Sequence, residues 1–479
     1  MSHYTDEEKK ESYIPGGEEG QQGADFYGES TSDVTVVFAK LKEAENSHDI
    51  KLRTMSWQKT AALLFGDQVC LAIMAQAWSF SVLGWVPALI TSILSGLMFW
   101  LTSITMWRFM MKHPQVRDVC DLGRLLFGNS ALAYEATGFM LLANNILLIG
   151  FHTLTFTRIL QTLADGSSVC SVWFSFIGTI IGVIASLPRT LKHVSYMSIF
   201  SASCMGIAIL TFLIFVGIED HPSSGYGGKY PALGEVYTYA FPRDGTTWVD
   251  CLNAVLNITF LWVPQILFPT FINEMERPQD FPKALAALAI LSFVLFLVVP
   301  IVGFRYLGQY AKAPSFGSLL EHYKKGSFAF VIVPTVVIAV IYANVSAKFI
   351  YSRIMRGSRH EHSNTVIGWG AWVGVLSFIW GLAFVFAEVV PSMGDFLSLL
   401  GAAFDSFFGA IFWSVAYYHI YKSQFFTTTR RSINTVLHII IFFIGLFLLG
   451  PGLYAAVEAI IADYAGGTSG AFSCSDYSI

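Results

Sequence analysis

Runs of about twenty apolar residues recur along almost the whole chain, and this pattern constrains the fold more than any other feature. A helix needs about 20 such residues to cross a bilayer. Lipid offers backbone amides and carbonyls no partner, so a buried apolar run must satisfy them internally, as a helix does. The runs lie near 60–82, 85–110, 131–157, 169–187, 193–217, 247–272, 284–307, 328–351, 365–387, 391–420 and 433–461, eleven in all. Only 13% of the residues are charged and 54% are hydrophobic, whereas soluble domains carry about 25% charged residues. The expected fold is an all-α integral membrane protein with about eleven transmembrane helices.

Loop charge tests that count, because cytoplasmic loops retain Lys and Arg. With the N-terminus inside and alternating crossings, 22 of the 29 Lys and Arg fall on the inner side. The expected C-terminus is therefore extracellular. Residues 1–54 read as a disordered acidic cytoplasmic tail, rich in Gly and Glu and too polar to bury a core. Residues 55–461 form the transmembrane domain, and 462–479 an extracellular tail. The long outer loop 218–246 is rich in Gly, Pro and Tyr, and reads equally as a cover over an entrance or as a linker. No apolar stretch follows a basic start, so no cleavable signal peptide is expected.

Several functions are disfavoured. The six cysteines make no CxxC pair and no zinc-spaced Cys/His set, so no metal site is expected. A GxxxxGK[ST] loop is absent, which removes ATP as the fuel, and no cofactor is implied. No basic stripe suggests a nucleic acid, and no charged ring or repeated filter motif suggests a channel. Cys170, Cys251 and Cys474 all fall on the oxidising outer side, so two of them can pair, though spacing does not say which. The sequons at Asn257 and Asn344 lie inside apolar runs, where no glycan is expected.

Two of the runs are interrupted, five apart. The sixth contains Pro264 and Pro269, each costing about 3 kcal/mol inside a helix. Phe260 to Gln265 is therefore a candidate unwound segment, with a ligand-free kink as the alternative. The first run holds Gly66, Asp67, Gln68 and Gln76. Two halves of five crossings must be inverted relative to each other, because five is odd. Broken helices at matching positions of inverted halves point to a secondary transporter's binding site.

The segments RTMSWQ (Arg53–Gln58), VCLAIMAQAWSFSVLGWVP and FINEMERPQDFPKAL resemble the amino acid/auxin permease family, most closely the fungal neutral amino acid permeases. The resemblance implies a leucine-transporter-like 5+5 inverted repeat with one further crossing, importing amino acids with protons. It also implies a first break at Ala72, Ile73, Met74, Ala75 and Gln76, where the family's proline position holds Ala77. In the sixth run the family's F-A-Y-A-G-H is Phe260, Leu261, Trp262, Val263, Pro264 and Gln265. An amide at Gln265 does not titrate near pH 7, so the proton is carried elsewhere.

Carboxylates inside the membrane cost about 2.5–3.5 kcal/mol on insertion scales and usually face the bundle interior. Asp67 is the first candidate for proton coupling, with a helix-capping or gating role as the alternative. Asp405 and His152, each deep in a run, are further candidates, though a lone histidine is more often a packing residue. Asn144, Asn145 and Asn344 suit helix-to-helix hydrogen bonds first and substrate second. Phe260 and Trp262, beside the unwound segment, suit a bulky or aromatic side chain, or simply pack. The expected partners are an amino acid, protons (or sodium) and the lipid bilayer. The plasma membrane is the expected location and the vacuolar membrane its alternative. A sensor that binds an amino acid without moving it is the competing function.

Overall fold

The structure is a computed structural model, and it describes residues 53–164, 169–223, 230–231, 233–361, 363–390, 393–465, 472 and 474. The acidic tail expected at 1–54 lies almost wholly outside them, as does most of 462–479. The described chain is all-helical apart from one isolated bridge between Met55 and Met275.

The first apolar run divides into α1 (Trp57–Gln68), a 3-10 turn (Leu71–Ala75) and α2 (Gln76–Leu83). Its two halves are bent by 43°. Then come α3 (Trp85–Lys112), a short amphipathic α4 (Val119–Leu126), α5 (Ala131–Leu163), α6 (Ser171–Ala185) and α7 (Leu191–Ile218). The second half opens with α8 (Trp248–Phe260) and α9 (Phe268–Asn273), followed by α10 (Phe281–Leu307), α11 (Glu321–Ile354) and α12 (Val366–Val389). The tenth run comprises α13 (Met393–Leu400), a π-helical stretch (Gly401–Ile411) and α14 (Phe412–Tyr421). The last is α15 (Thr429–Phe447), a π turn around Pro451, and α16 (Leu453–Ala465).

Eight of these helices are long and apolar enough to cross a membrane, and the bent first pair makes a ninth. The run at 169–187 yields only the 15-residue α6, and the sixth run is broken into α8 and α9. The figure of eleven crossings counts both of those, and it belongs with the functional proposal below.

Side chains sort the helices into an inner and an outer set. In the apolar stretches of α5, α11 and Met393–Tyr421, 72%, 72% and 78% of residues are buried, against 28–44% in the other five long helices. The outer helices present Ile90, Leu94, Trp173, Ile184, Phe378 and Phe443 outward, as a surface facing lipid must. Small residues allow close approach: a Cβ on Gly182 of α6 would stand 2.1 Å from the Trp380 ring of α12. Where polar ends need capping, the chain supplies it. Thr247 accepts from Asp250 N at 3.1 Å while the Asp250 carboxylate accepts from Thr247 N at 2.9 Å, a capping box opening α8.

Asn257 and Asn344 are both fully buried, so neither sequon is exposed. Cys170, just before α6, is bonded to Cys474, while Cys70, Cys120, Cys204 and Cys251 are free. That resolves which of the three candidate cysteines pair.

Candidate functional site at the two helix breaks

The sixth run breaks where its prolines lie. After Phe260 the backbone leaves the helix at Val263 (φ −127°, ψ 54°), and Pro264 opens a 3-10 turn over Pro264–Ile266. Pro269 stands in the first turn of α9. Both prolines thus occupy the start of an element, where the missing amide hydrogen is not needed.

The first break takes in the positions the resemblance implies and starts before them. Helix α1 stops at Gln68, Val69 and Cys70 are extended or turned, and Leu71–Ala75 form a 3-10 turn before α2 resumes at Gln76. Gln68 spans the two breaks. Its amide donates to the Leu261 carbonyl at 2.9 Å and its oxygen accepts from Ser292 Oγ at 2.9 Å. A second glutamine, Gln76, donates to the Asn257 carbonyl at 2.9 Å. Carbonyls freed by unwinding in a water-poor interior need such partners, because an unpaired one costs about 1–3 kcal/mol.

Between the breaks lies a cavity of about 30 Å³, room for one small polar group. Asp67, Gln68 and Cys70 line it from the first break, and Phe260, Leu261, Val263, Pro264 and Ile266 from the second. The inner helices complete it with Asn144, Leu148 and His152 of α5, Ile338 and Tyr342 of α11, and Asp405 of the π stretch. Asp405 Oδ2, Asn144 Oδ1 and His152 Nδ1 are buried without a hydrogen-bond partner, and the Asp67 carboxyl group faces only the Tyr342 hydroxyl. Among the described residues no Lys or Arg lines the cavity.

Eight residues singled out from the sequence therefore meet: Asp67, Asn144, His152, Asp405, Phe260, Leu261, Val263 and Pro264. The others point elsewhere. Ala72, Ile73, Met74 and Ala75 are buried in the 3-10 turn, where the Met74 carbonyl accepts from Ser315 Oγ at 2.5 Å. Trp262 turns away into an aromatic cluster, 4.9 Å from the rings of Phe293 and of Phe296 and 5.9 Å from Phe99. Gln265 donates to Thr102 Oγ1 at 3.2 Å, Asn145 to Ser346 Oγ at 3.0 Å and Asn344 to the Val340 carbonyl at 3.0 Å. Tyr342 lines the cavity without having been singled out as a ligand. A signal existed for Tyr342, which shares a helix face with Ser346, four residues on, in an otherwise apolar run.

Contacts close both ends of the bundle around these breaks. Toward the start of α1, Met55 N donates to the Glu274 carbonyl at 3.1 Å and Glu276 N to the Met55 carbonyl at 2.8 Å. Glu274 also pairs with Lys348 of α11, and Arg53 donates to Asn273 Oδ1 at 2.9 Å. Beside them is a larger crevice of about 170 Å³ with Arg117, Asp118, Arg189, Lys348 and Glu361 in its walls. At the opposite end, part of the 218–246 loop lies on the α2–α3 corner, where Trp85 N and Val86 N donate to the Tyr239 and Ala240 carbonyls.

Residues 53–458 match the family described as transmembrane amino acid transporter protein. The chain belongs to that family. An "N amino acid transport system protein" of Neurospora crassa is 27% identical over 440 residues, 91% of this chain and 92% of the relative. A "transmembrane transporter" of Gibberella moniliformis is 25% identical over 481 residues, covering 100% and 98%. Solved structures share the fold at lower identity. One is MHP1, a nucleobase-cation-symport-1 family transporter (TM-score 0.53, 16% identical, 87% and 93% covered). Another is a Na+-coupled sialic acid symporter (TM-score 0.52, 12% identical, 90% and 94% covered). This member of the amino acid transporter family is a multi-pass membrane protein with the leucine-transporter-like architecture, a transporter and not an enzyme.

Proposed function

We propose that this transporter imports neutral, bulky amino acids by proton-coupled symport across the plasma membrane, through alternating access of the cavity at the two breaks. The observation that carries the reading is the pair of buried carboxyl groups, Asp67 and Asp405, in one cavity that no Lys or Arg lines among the described residues. Such groups exchange protons when water reaches them and hold them when it does not. The apolar walls, among them Leu148, Ile338 and Ile266, suit an uncharged side chain. Eleven crossings with the N-terminus inside complete the proposal, and the naming of the Neurospora relative agrees with an amino acid as cargo.

The energetics suffice. A proton falling through 100 mV yields about 2.3 kcal/mol, and each pH unit adds about 1.4 kcal/mol. The test is uptake of a labelled amino acid panel by the purified protein in liposomes, under an imposed pH gradient or an imposed sodium gradient. Concentrative uptake of neutral amino acids should follow the pH gradient. Uptake that follows sodium alone would replace the coupling ion. Absence of counterflow for every amino acid would leave a sensor.

A further inference from the structure

We infer that the two carboxyl groups of the cavity divide the load, Asp67 receiving the ammonium group of the amino acid and Asp405 the coupled proton. This rests on the reading of the cavity as the substrate site. Of the atoms there with acceptor capacity to spare, most are carboxyl and amide oxygens. The donors such a lining lacks are what an ammonium group brings. Each carboxyl group between apolar walls favours a positive partner, since an uncompensated buried charge is costly, while the amino acid's own carboxylate needs donors outside this pair.

The two acids differ in what they offer. Asp67 stands in the last turn of α1, at the break, where the helix end carries partial negative charge and favours a cation. Its carboxyl group faces the Tyr342 hydroxyl and no other side-chain donor, which leaves acceptor capacity for an ammonium with three N–H donors. Asp405 stands in the middle of a continuous π-helical stretch, away from any helix end, and only its Oδ2 is buried without a partner. A proton needs one oxygen. π-Helical turns inside helices recur at functional sites. The remaining titratable groups on the cavity are Cys70, His152 and Tyr342, and none of them is a carboxyl group that can complete the charge balance.

The experiment reconstitutes the full chain and its variants in liposomes, using the labelled neutral amino acid that the wild type exchanges fastest in the panel above. Counterflow reads substrate binding and exchange, whereas accumulation under a pH gradient reads coupling. Asp405→Asn should lose gradient-driven accumulation and keep counterflow far above that of Asp67→Asn. Asp67→Asn should lose counterflow by about 100-fold at the same substrate concentration, and Asp67→Glu should restore part of it. Melting in detergent checks folding. Where an Asn variant does not fold, the Glu variant is read instead: at 405 it should shift the pH of half-maximal accumulation, and at 67 the substrate concentration for half-maximal exchange. Wild-type accumulation by Asp405→Asn, or wild-type counterflow by Asp67→Asn, would overturn the division. If the wild type itself accumulates nothing under a pH gradient, proton coupling fails, while counterflow still decides what Asp67 receives.

Discussion

Asp118 caps α4, accepting from Cys120 N at 2.8 Å and Asp121 N at 3.0 Å. Burial, with the Asp121 carboxylate beside it, pushes its carboxyl up to about 6, from an ordinary value of about 3.9. Between those two values the folded chain binds the proton more tightly than the unfolded chain. Stability from this group therefore rises as the pH falls through that window and is absent above it. Asp118→Asn keeps a good cap and should flatten the gain in melting temperature between pH 7 and pH 5. Equal gains in wild type and variant would show that the carboxyl does not titrate there. Single residues were legible in the sequence when burial made them expensive. Asp67, His152 and Asp405 stood out because polar groups inside an apolar run need a reason. Trp262 carried no such mark, since an aromatic ring packs equally well toward a cavity or into the Phe99, Phe293 and Phe296 cluster.

At the scale of elements, the two breaks differ in how they are encoded. The sixth run is broken by covalent geometry, because Pro264 and Pro269 cannot continue a helix through their own positions. No proline or glycine stands at Val69 or Cys70, so the first break is held by tertiary contacts, chiefly those of Gln68. Nearby, Gly66 packs against Ser198 of α7 so closely that a Cβ would lie 2.7 Å from that side chain. Gln68→Leu should therefore strand the Leu261 carbonyl and destabilise the fold by about 1–3 kcal/mol, seen as earlier thermal unfolding in detergent. A variant as stable as the wild type would mean that the breaks do not lean on each other through this side chain. The π-helical stretch around Asp405 is equally invisible from residue types, since its apolar residues would serve an ordinary helix.

For the whole molecule, the cysteines provide a test of both topology and connectivity. The bond between Cys170 and Cys474 ties the chain near its C-terminus to the start of α6, and it requires an oxidising compartment at that end. Denatured protein should take up label on four cysteines without reductant and on six after reduction, and a reporter after Ile479 should be extracellular. Six reactive thiols without reductant would remove the bond, and a cytoplasmic reporter would make the number of crossings even. The sequence by itself determined that the chain crosses a membrane, roughly where, and that two interrupted runs lie five apart. Hydropathy and proline act locally, through groups adjacent along the chain, so those features can be read residue by residue. Only the tertiary structure decided where the first run unwinds, which polar side chains share the cavity and which are spent on neighbouring helices. Those outcomes depend on partners such as Leu261, Ser292 and Ser346, distant in sequence, whose competition for each amide and carboxyl is settled by packing.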